Sequence, residues 1–229
     1  MARFETPRRH RRDDVAQTAL RILDDHGLPE LTMRRLAAAL DVQPSALYWH
    51  FENKQTLIAD LADRIVATAD ARPAAQPDHS KEGSRPGPDV WRDVVRGEAH
   101  ALRDALLAYR DGAEVVSSTY ALGLGSGRAL ERLRASVALG GFDEPTAERA
   151  ATALLHFILG HVSHEQQRMQ YDAFGVVAPS AALEPRGAKS SRRSGEQATG
   201  FAFGVDLLVS GLGSLASSSF RETSEPAAR

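Results

Sequence analysis

The sequence predicts an all-α protein in which a small three-helix unit precedes a larger helical domain. Apolar residues recur at intervals of three and four through most of the chain, which is the period of an amphipathic helix. No segment alternates apolar and polar residues with the period of a strand. Glycine, proline and polar stretches separate the periodic segments, and 229 residues suffice for one small and one larger unit.

The composition is typical of a soluble globular protein, with 42% hydrophobic and 25% charged residues. A formal net charge of −2 gives no overall nucleic-acid signal, although DNA binding needs only a local basic patch. The absence of cysteine excludes a disulfide framework and any cysteine metal site. No apolar run reaches the roughly 18–20 residues of a membrane span, and the N-terminus is too polar for a signal peptide. We therefore expect a cytoplasmic protein without a membrane segment.

Residues 1–12 form a basic arm in which Glu5 is the only acidic residue. Its arginines are Arg3, Arg8, Arg9, Arg11 and Arg12. One interpretation of the arm is a solvated, frayed tail. The other is a segment that lies on DNA phosphates or in the minor groove.

The next segments make a helix-turn-helix pattern. A first helix is expected from residue 13 or 14 to 26, where a glycine ends it. A second is expected over 32–40, with the hydroxyl of Thr32 as N-cap. Residues 41–44 leave room only for a tight turn before a third helix over 45–51. Two helices joined by so short a turn favour a helix-turn-helix unit.

The third helix has an apolar side formed by Leu47 and Phe51, which we expect to pack on the second helix. Its other side would expose the run Tyr48, Trp49 and His50. Exposed rings suit thymine methyl groups, and hydroxyl and imidazole groups suit phosphates. Alternatively, Tyr48 and Trp49 belong to the core of a small bundle, because an isolated pattern of this kind does not decide between the two.

The rest of the chain is predicted to be helical. Asn53 is placed to cap a helix that reaches about residue 71 and connects the small unit to the larger one. Apolar periodicity predicts further helices at 91–109, 113–120, 127–139, about 145–171 and from 195 or 197 to 216. Polar, proline-containing stretches at 72–89 and 172–199 are expected loops, the second partly disordered. The expected domains are a head (1–53), a connecting helix (54–71) and a larger domain (72–229).

The segment GLGSG at residues 123–127 superficially resembles a phosphate-binding loop. No strand is expected before it and no lysine follows it, and a phosphate-binding loop needs both. We therefore expect a flexible turn that binds no nucleotide.

Five segments of the chain together resemble one family of regulators. They are LTMRRLAAAL (31–40), LYWHFENK (47–54), LRDALLAYRDGAEV (102–115), HFILGHVSHEQQ (156–167) and GEQATGFAFGVDLLVSGL (195–212). The first two resemble the DNA-reading head of the TetR family of transcriptional repressors, a motif that very many proteins share. The last three resemble the C-terminal domain of its tetracycline-repressor-like branch and are more specific. The resemblance covers nearly the whole chain.

The resemblance implies a homodimer that presents two heads to a palindromic operator in successive major grooves. The helices at 145–171 and 197–216 would pair with their copies as a four-helix bundle. The implied partners are double-stranded operator DNA and a small organic effector, with no cofactor. The residues expected at the DNA, including one from the basic arm, are Arg12, Thr32, Arg34, Gln43, Pro44, Ser45, Tyr48, Trp49, His50 and Lys54.

The start of the third helix departs from the tetracycline-repressor-like branch. That branch has Gln-Pro-Thr where Pro44, Ser45 and Ala46 align, and Gln43 lies one residue earlier. We therefore expect a different operator sequence.

The implied effector site departs further from that branch. Its residues here are Asp70, Glu98, Leu102, Val116, Thr119, Leu133, Leu155, His161 and His164. Val116 stands where the branch has a histidine that ligates drug-chelated magnesium, and a hydrocarbon side chain cannot coordinate a hard cation. We expect an organic ligand other than magnesium-tetracycline, one that is bulky, aromatic or polyketide-like.

The histidines of the 156–167 segment leave two interpretations open. His161 shares a helix face with His164 and Glu165, which permits a metal site, but hydrogen-bonding roles in a pocket or an interface are the alternative. His156 is expected to be buried beside the pocket.

The expected function is ligand-released repression of transcription, with an efflux pump or biosynthetic genes as the kind of target. No Ser-His-Asp spacing or pair of carboxylates indicates catalysis. The alternatives are an activator of the same fold and, from another class, a helical enzyme or carrier.

Overall fold

The computed structural model describes the backbone of residues 10–71, 89–173, 175 and 186–222, and in the last range the side chains of residues 195 and 197–215. These residues form helices and no strand, which confirms the all-α prediction. In chain order the helices are α1 (Arg12–His26), α2 (Met33–Ala39), α3 (Pro44–Leu47), α4 (Lys54–Ala67), α5 (Val90–Leu107), α6 (Gly112–Ala121), α7 (Arg128–Ala138), α8 (Glu144–Ala173) and α9 (Arg186–Glu222). A 3₁₀ turn, Thr68–Ala71, continues α4.

The head is a small bundle of α1, α2 and α3 around its own apolar core. The buried residues of that core include Val15, Ala19, Leu23, Leu31, Leu36, Leu47 and Phe51. Thr32 caps α2, because its hydroxyl oxygen accepts the backbone N–H of Arg35 at 3.1 Å. The predicted N-cap is therefore confirmed, and the apolar residues that recur along the head's helices do face inward.

The turn between α2 and α3 is a Schellman motif. The N–H of Val42 donates to the carbonyl of Ala37 at 3.0 Å, and the N–H of Asp41 donates to that of Ala38 at 3.3 Å. Asp41 has φ 54°, the left-handed conformation that glycine most often provides at this place. The turn thus reverses the chain within four residues and fixes the angle at which α3 leaves.

Helix α3 is shorter than predicted. The sequence predicts residues 45–51, but the regular helix is Pro44–Leu47 and the chain continues as turns. The carbonyl of Leu47 accepts the N–H groups of both His50 and Phe51. Asn53 then adopts φ −156° and ψ 176° as the cap of α4, so α3 and α4 are separate helices.

Helix α4 connects the head to the larger domain. The Oδ1 of Asn53 accepts the N–H of Thr56 at 2.9 Å, which confirms the predicted cap. Leu57, Leu61 and Ile65 form its buried stripe. The helix packs against α1 on the head side and against α5 and α6 on the other. Any movement of α4 relative to α6 is therefore transmitted to the head.

Helices α5, α6, α7 and α8 build the core of the larger domain, and α9 packs on α5 and α8. Helix α9 begins at Arg186 and ends at Glu222, so the predicted loop to residue 199, the helix start at 195 or 197 and the helix end at 216 are wrong. No proline lies between residues 186 and 222. Proline interrupts a helix because its φ is fixed and it lacks a backbone N–H, so nothing of this kind breaks α9. The expected loop at 72–88, the segment 176–185 and the arm at 1–9 lie outside the described residues.

Candidate DNA-binding surface and effector core

The surface of the head around α3 exposes the predicted aromatic run. Trp49 is 90% exposed and Tyr48 52% exposed, while Leu47 and Phe51 are buried. His50 is half-buried. The alternative in which Tyr48 and Trp49 belong to the head's core is therefore wrong, and two aromatic side chains of the turn after α3 are available to a partner.

The other predicted DNA contacts lie at the first turns of helices. Thr32 and Arg34 are exposed at the start of α2, and Lys54 is half-buried at the start of α4. Gln43, Pro44 and Ser45 are exposed at the start of α3. Thr32 and Asn53 already accept backbone N–H groups of α2 and α4, so these ends would meet a phosphate mainly with their polar side chains. The head thus offers several such ends beside its exposed rings.

Arg12 is held by the protein itself. Its guanidinium lies 3.0 Å from the carboxylate of Asp60 and 4.6 Å from the ring centre of Phe51. Arg64 bridges the same two helices, with 2.6 Å contacts to Asp13 and to Asp60. This Arg64 contact holds the pKa of the Asp13 carboxyl below its usual value. The DNA role of Arg12 stays a prediction, and the four charges join α1 to α4.

A small cavity lies between α4, α6, the loop before α7, and α8. Its volume is about 30 Å³. The residues that α4, α6 and α8 contribute are Ala62, Asp63, Val66, Val116, Thr119, Tyr120 and Leu155. Drug-sized ligands occupy pockets of about 300–1,000 Å³. This cavity is therefore too small for a bulky effector, which would have to enlarge it.

The predicted effector residues are only partly brought together at this cavity. Val116, Thr119 and Leu155 line it, whereas Leu102 and Leu133 are fully buried in the packed core and do not. The hydroxyl of Thr119 donates to the carbonyls of Val115 and Val116 at 3.1 and 2.9 Å. An opened cavity would therefore offer a mostly apolar wall.

The loop between α5 and α6 bonds the head to the core. Asp111, at φ 56°, accepts the backbone N–H of Leu28 at 2.9 Å and the side-chain N–H of Gln170 at 2.5 Å. The buried Gln166 fixes the same loop, since it donates to the carbonyls of Leu106 and Tyr109. Asp111 belongs to the RDGA segment, residues 110–113, and sequence reasoning missed the structural role of that segment.

Two family comparisons cover most of the chain. Residues 16–61 match the family described as "Bacterial regulatory proteins, tetR family", and residues 84–215 match "Tetracyclin repressor-like, C-terminal domain". The chain belongs to the TetR family. The suspected resemblance is thereby confirmed.

Individual relatives agree with the TetR assignment over nearly full lengths. The Tetracycline repressor protein class C of Escherichia coli is 34% identical over 88% of this chain and 90% of its own. The crystal structure of Mycobacterium smegmatis BioQ is 36% identical, with a TM-score of 0.69 over 89% of this chain and 98% of BioQ. A structure of BioQ with its natural double-stranded DNA operator is 34% identical, with a TM-score of 0.64 over the same shares. This TetR-family chain is a DNA-binding transcriptional repressor and not an enzyme.

In this TetR-family core, Asp70 and Glu98 are bound to arginines. Arg132 contacts both carboxylates, and Arg128 lies 2.9 Å from Asp70. Burial raises the pKa of Glu98 to about 7 and lowers the pKa of Arg132, because it penalises the charged form of each. The two predicted effector residues therefore meet through Arg132, which sequence reasoning missed.

The metal-site interpretation of His161, His164 and Glu165 gains no support from the described residues. Both oxygens of Glu165 accept from Arg103, so the helix face shared by His161 and Glu165 is already used by an ion pair. His164 is exposed, and no group of three metal-ligating residues occurs in the part of the chain that the structure describes. His161 packs on Phe201, with its Nε2 buried and without a partner among the described residues.

His156 is exposed, so the expectation of a buried histidine beside the pocket is wrong. Its ring lies edge-on against Tyr120 at 5.8 Å. The helix turns this position outward, since the positions that α8 buries nearby are Leu154, Leu155, Ile158 and Leu159.

Proposed function

We propose that this TetR-family repressor acts as a homodimer and leaves its operator when a small organic molecule opens the core. The observation that carries the proposal is the position of the cavity. Its wall includes Ala62, Asp63 and Val66 of α4, the helix that also packs on α1 of the head. A ligand that enlarges the cavity must displace α4, and a displaced α4 changes the position of the head.

Release of DNA then follows from a population shift. A ligand that binds the open core better than the closed core favours the open state by the ratio of its two affinities. A shift from 1:99 to 99:1 needs a preference of about 10⁴-fold, or roughly 5.5 kcal/mol. A bulky apolar ligand that the closed cavity excludes can supply such a preference, because it has almost no affinity for the closed state.

The homodimer is supported by the outer face of α9. Phe203 and Leu207 are 68% and 63% exposed. Residues Gln197–Leu215 form a helix apolar and long enough to cross a membrane by length and composition alone, although the sequence was expected to contain no such run. Exposed apolar faces of this size mark interaction surfaces. We assign this face to a second copy of the chain, with α8 and α9 of both copies forming a four-helix bundle in the cytoplasm.

The proposed ligand is an organic molecule bound without magnesium. A TetR from Acinetobacter baumannii, 29% identical, has been solved in complex with minocycline. In this chain the position that the resemblance gives to a metal-ligating histidine holds Val116, which is buried and cannot coordinate a cation. The effector contacts therefore come from apolar residues and Thr119, and the regulated genes are expected to encode an efflux pump or biosynthetic enzymes.

The predicted head surface supports the DNA part of the proposal. We infer that Tyr48, Trp49 and His50 face the major groove and that the remaining predicted residues, Arg12, Thr32, Arg34, Gln43, Pro44, Ser45 and Lys54, position the head on the duplex. The division into a head (1–53), a connecting helix (54–71) and a larger domain (72–229) is part of the same proposal.

The test begins with selection of duplexes from a random pool by the wild-type protein. Binding to the selected duplex is then measured for wild type, Tyr48→Ala and Trp49→Ala. Leu139→Ala is the control, since Leu139 is a large apolar residue, 66% exposed, at the end of α7, away from the head and from the helices assigned to the dimer. We expect the head variants to lose operator binding and the control to keep it. Unchanged binding by both head variants would overturn the assigned surface.

The ligand and the dimer are tested separately. Light scattering should give twice the mass of the chain, and a compound panel with and without magnesium should release the selected duplex. Magnesium-dependent release by tetracycline would contradict the proposed ligand class. A monomer in solution would contradict the assignment of the α9 face.

A further inference from the structure

The glycine-rich segment at 123–127 has a defined shape. Gly123, Gly125 and Gly127 adopt φ values of 64°, 83° and 67°, a conformation that other L-residues rarely adopt. The segment leaves α6 and enters α7, so it is one wall of the effector cavity. The three glycines are therefore needed for a specific loop path, which the expectation of a flexible turn did not foresee.

This loop binds the carboxylate of Asp63 through hydrogen bonds. The backbone N–H of Ser126 donates to both oxygens of Asp63, at 3.0 and 3.1 Å, and its hydroxyl donates to Oδ1 at 2.6 Å. A Cβ atom placed on Gly125 would lie 3.4 Å from Oδ1 of Asp63. That distance is an ordinary van der Waals contact, so the φ of 83°, and not a lack of space, is what favours glycine at this position.

The contact joins the two walls that a ligand must separate. Asp63 lines the cavity from the α4 side, and Gly127 lines it from the loop side. A second contact, between Asp70 in the 3₁₀ turn and Arg128 of α7, joins the same two walls further along. Enlarging the cavity therefore pulls Asp63 away from Ser126.

The residues of α4 beside Asp63 are bound to the head. Asp60 contacts Arg12, and Arg64 contacts Asp13, both on α1. Within five residues, α4 is thus attached to the head and to the cavity wall. A change at Asp63 reaches α1 through a single turn of rigid helix.

We propose that Asp63 and Ser126 form a latch that holds α4, and with it the head, in the operator-binding position, and that opens when the cavity fills. The latch rests on the proposed function, because its opening is the ligand-driven step. In a ligand-released repressor the state that binds the operator is the one without ligand, and we assign the latched conformation, in which the cavity is small, to that state. Asp63 and Ser126 are positioning residues and do not contact DNA.

The test compares Asp63→Ala with wild type in two measurements. Because the chain has no cysteine, a single Gln17→Cys substitution on the exposed side of α1 gives one spin label per head. Pulsed electron–electron double resonance then reports the distance between the labels on the two heads of the ligand-free dimer. Binding to the selected duplex is measured in parallel. Gly125→Ala, which strains the loop at φ 83°, attacks the latch from the other side.

The matched control is Asp143→Ala. Asp143 also accepts a backbone N–H through its carboxylate, from Thr146 at 2.9 Å, but at the start of α8 and not on α4. We expect the two latch variants to broaden the distance distribution and weaken operator binding by about threefold to tenfold, the size of one charge-assisted hydrogen bond. The control should change neither quantity.

The outcomes separate the latch from the function on which it rests. If wild type binds the selected duplex as a dimer and both latch variants match it in distance and affinity, the latch is overturned while the proposed function stands. If the labelled Gln17→Cys protein shows no dipolar signal and wild type shows no sequence-selective binding, the proposed function fails, and the latch fails with it. If Asp143→Ala changed the distance distribution and the operator affinity as much as Asp63→Ala does, the effect would be a general loss of stability, and the latch would be overturned.

Discussion

Asp111 of the α5–α6 loop accepts the backbone N–H of Leu28 at 2.9 Å, although 83 positions separate them in the chain. The second oxygen of the same carboxylate accepts from Gln170 of α8. One side chain therefore joins the turn after α1 of the head to α8 of the larger domain. The ionic cluster of α1 and α4 makes a second, separate junction. The head is thus attached to the larger domain through the α5–α6 loop and to the connecting helix α4 through these charges, and either attachment can be weakened alone.

The first prediction concerns this junction. Asp111→Asn keeps the shape of the side chain and tolerance of the left-handed conformation, but it removes the charge from two hydrogen bonds. We expect a loss of about 1–2 kcal/mol in the free energy of unfolding, because hydrogen bonds to charged groups contribute more than neutral ones. Urea denaturation measures the change. Asp25→Asn, an exposed substitution near the end of α1, should leave the free energy within about 0.5 kcal/mol of wild type.

A second prediction concerns the ion pair of Arg103 and Glu165. Their side chains are 11% and 6% exposed, and Arg103 binds both carboxylate oxygens. Glu165→Ala leaves the buried guanidinium with only the more exposed carboxylate of Asp104, at 3.6 Å, so we expect a loss toward the lower end of about 3–5 kcal/mol in the free energy of unfolding. The double variant Arg103→Met with Glu165→Leu removes both charges and should recover most of that loss. A double variant as unstable as the single one would show that the pair itself stabilises the core.

The sequence predicts the helices far better than the polar contacts between them. Periodicity places Leu47 inside and Trp49 outside, and both assignments agree with the structure. Contacts such as Asp63 with Ser126 and Leu28 with Asp111 join residues more than 60 positions apart, and no periodic pattern marks them. The same limit explains why Asp70 and Glu98 were assigned to a ligand when Arg132 binds both of them.

The start of α9 could not be located from the sequence for a different reason. Its first turns, in the polar segment after Pro185, combine serine, lysine and arginine with only two glycines before residue 197. These residues are neither strong helix formers as a group nor strong breakers, so composition favours a linker as readily as a helix. Apolar periodicity begins only near residue 201, and a prediction based on it starts the helix too late.

A third prediction concerns the turn between α2 and α3. Asp41 has φ 54° in the Schellman motif, where a β-branched residue is strongly disfavoured and glycine is favoured. Asp41→Val should lower the free energy of unfolding by about 1–2 kcal/mol, and Asp41→Gly should be neutral or stabilising by up to about 1 kcal/mol. Thermal unfolding of both variants measures the pair. The reverse order of stabilities would contradict the left-handed turn.

The last prediction concerns Leu47 and Trp49, which are two positions apart in the chain but lie on opposite faces of the α3 region. Leu47 is 1% exposed in the core of the head, so Leu47→Ala should cost about 2–5 kcal/mol of unfolding free energy. Trp49 is almost fully exposed, so Trp49→Ala should change the unfolding free energy by less than about 0.5 kcal/mol while it abolishes binding to the selected operator. Circular dichroism with urea measures the first quantity, and gel shift measures the second. A destabilised Trp49→Ala variant would mean that the ring packs against the protein and that its exposure does not serve DNA binding.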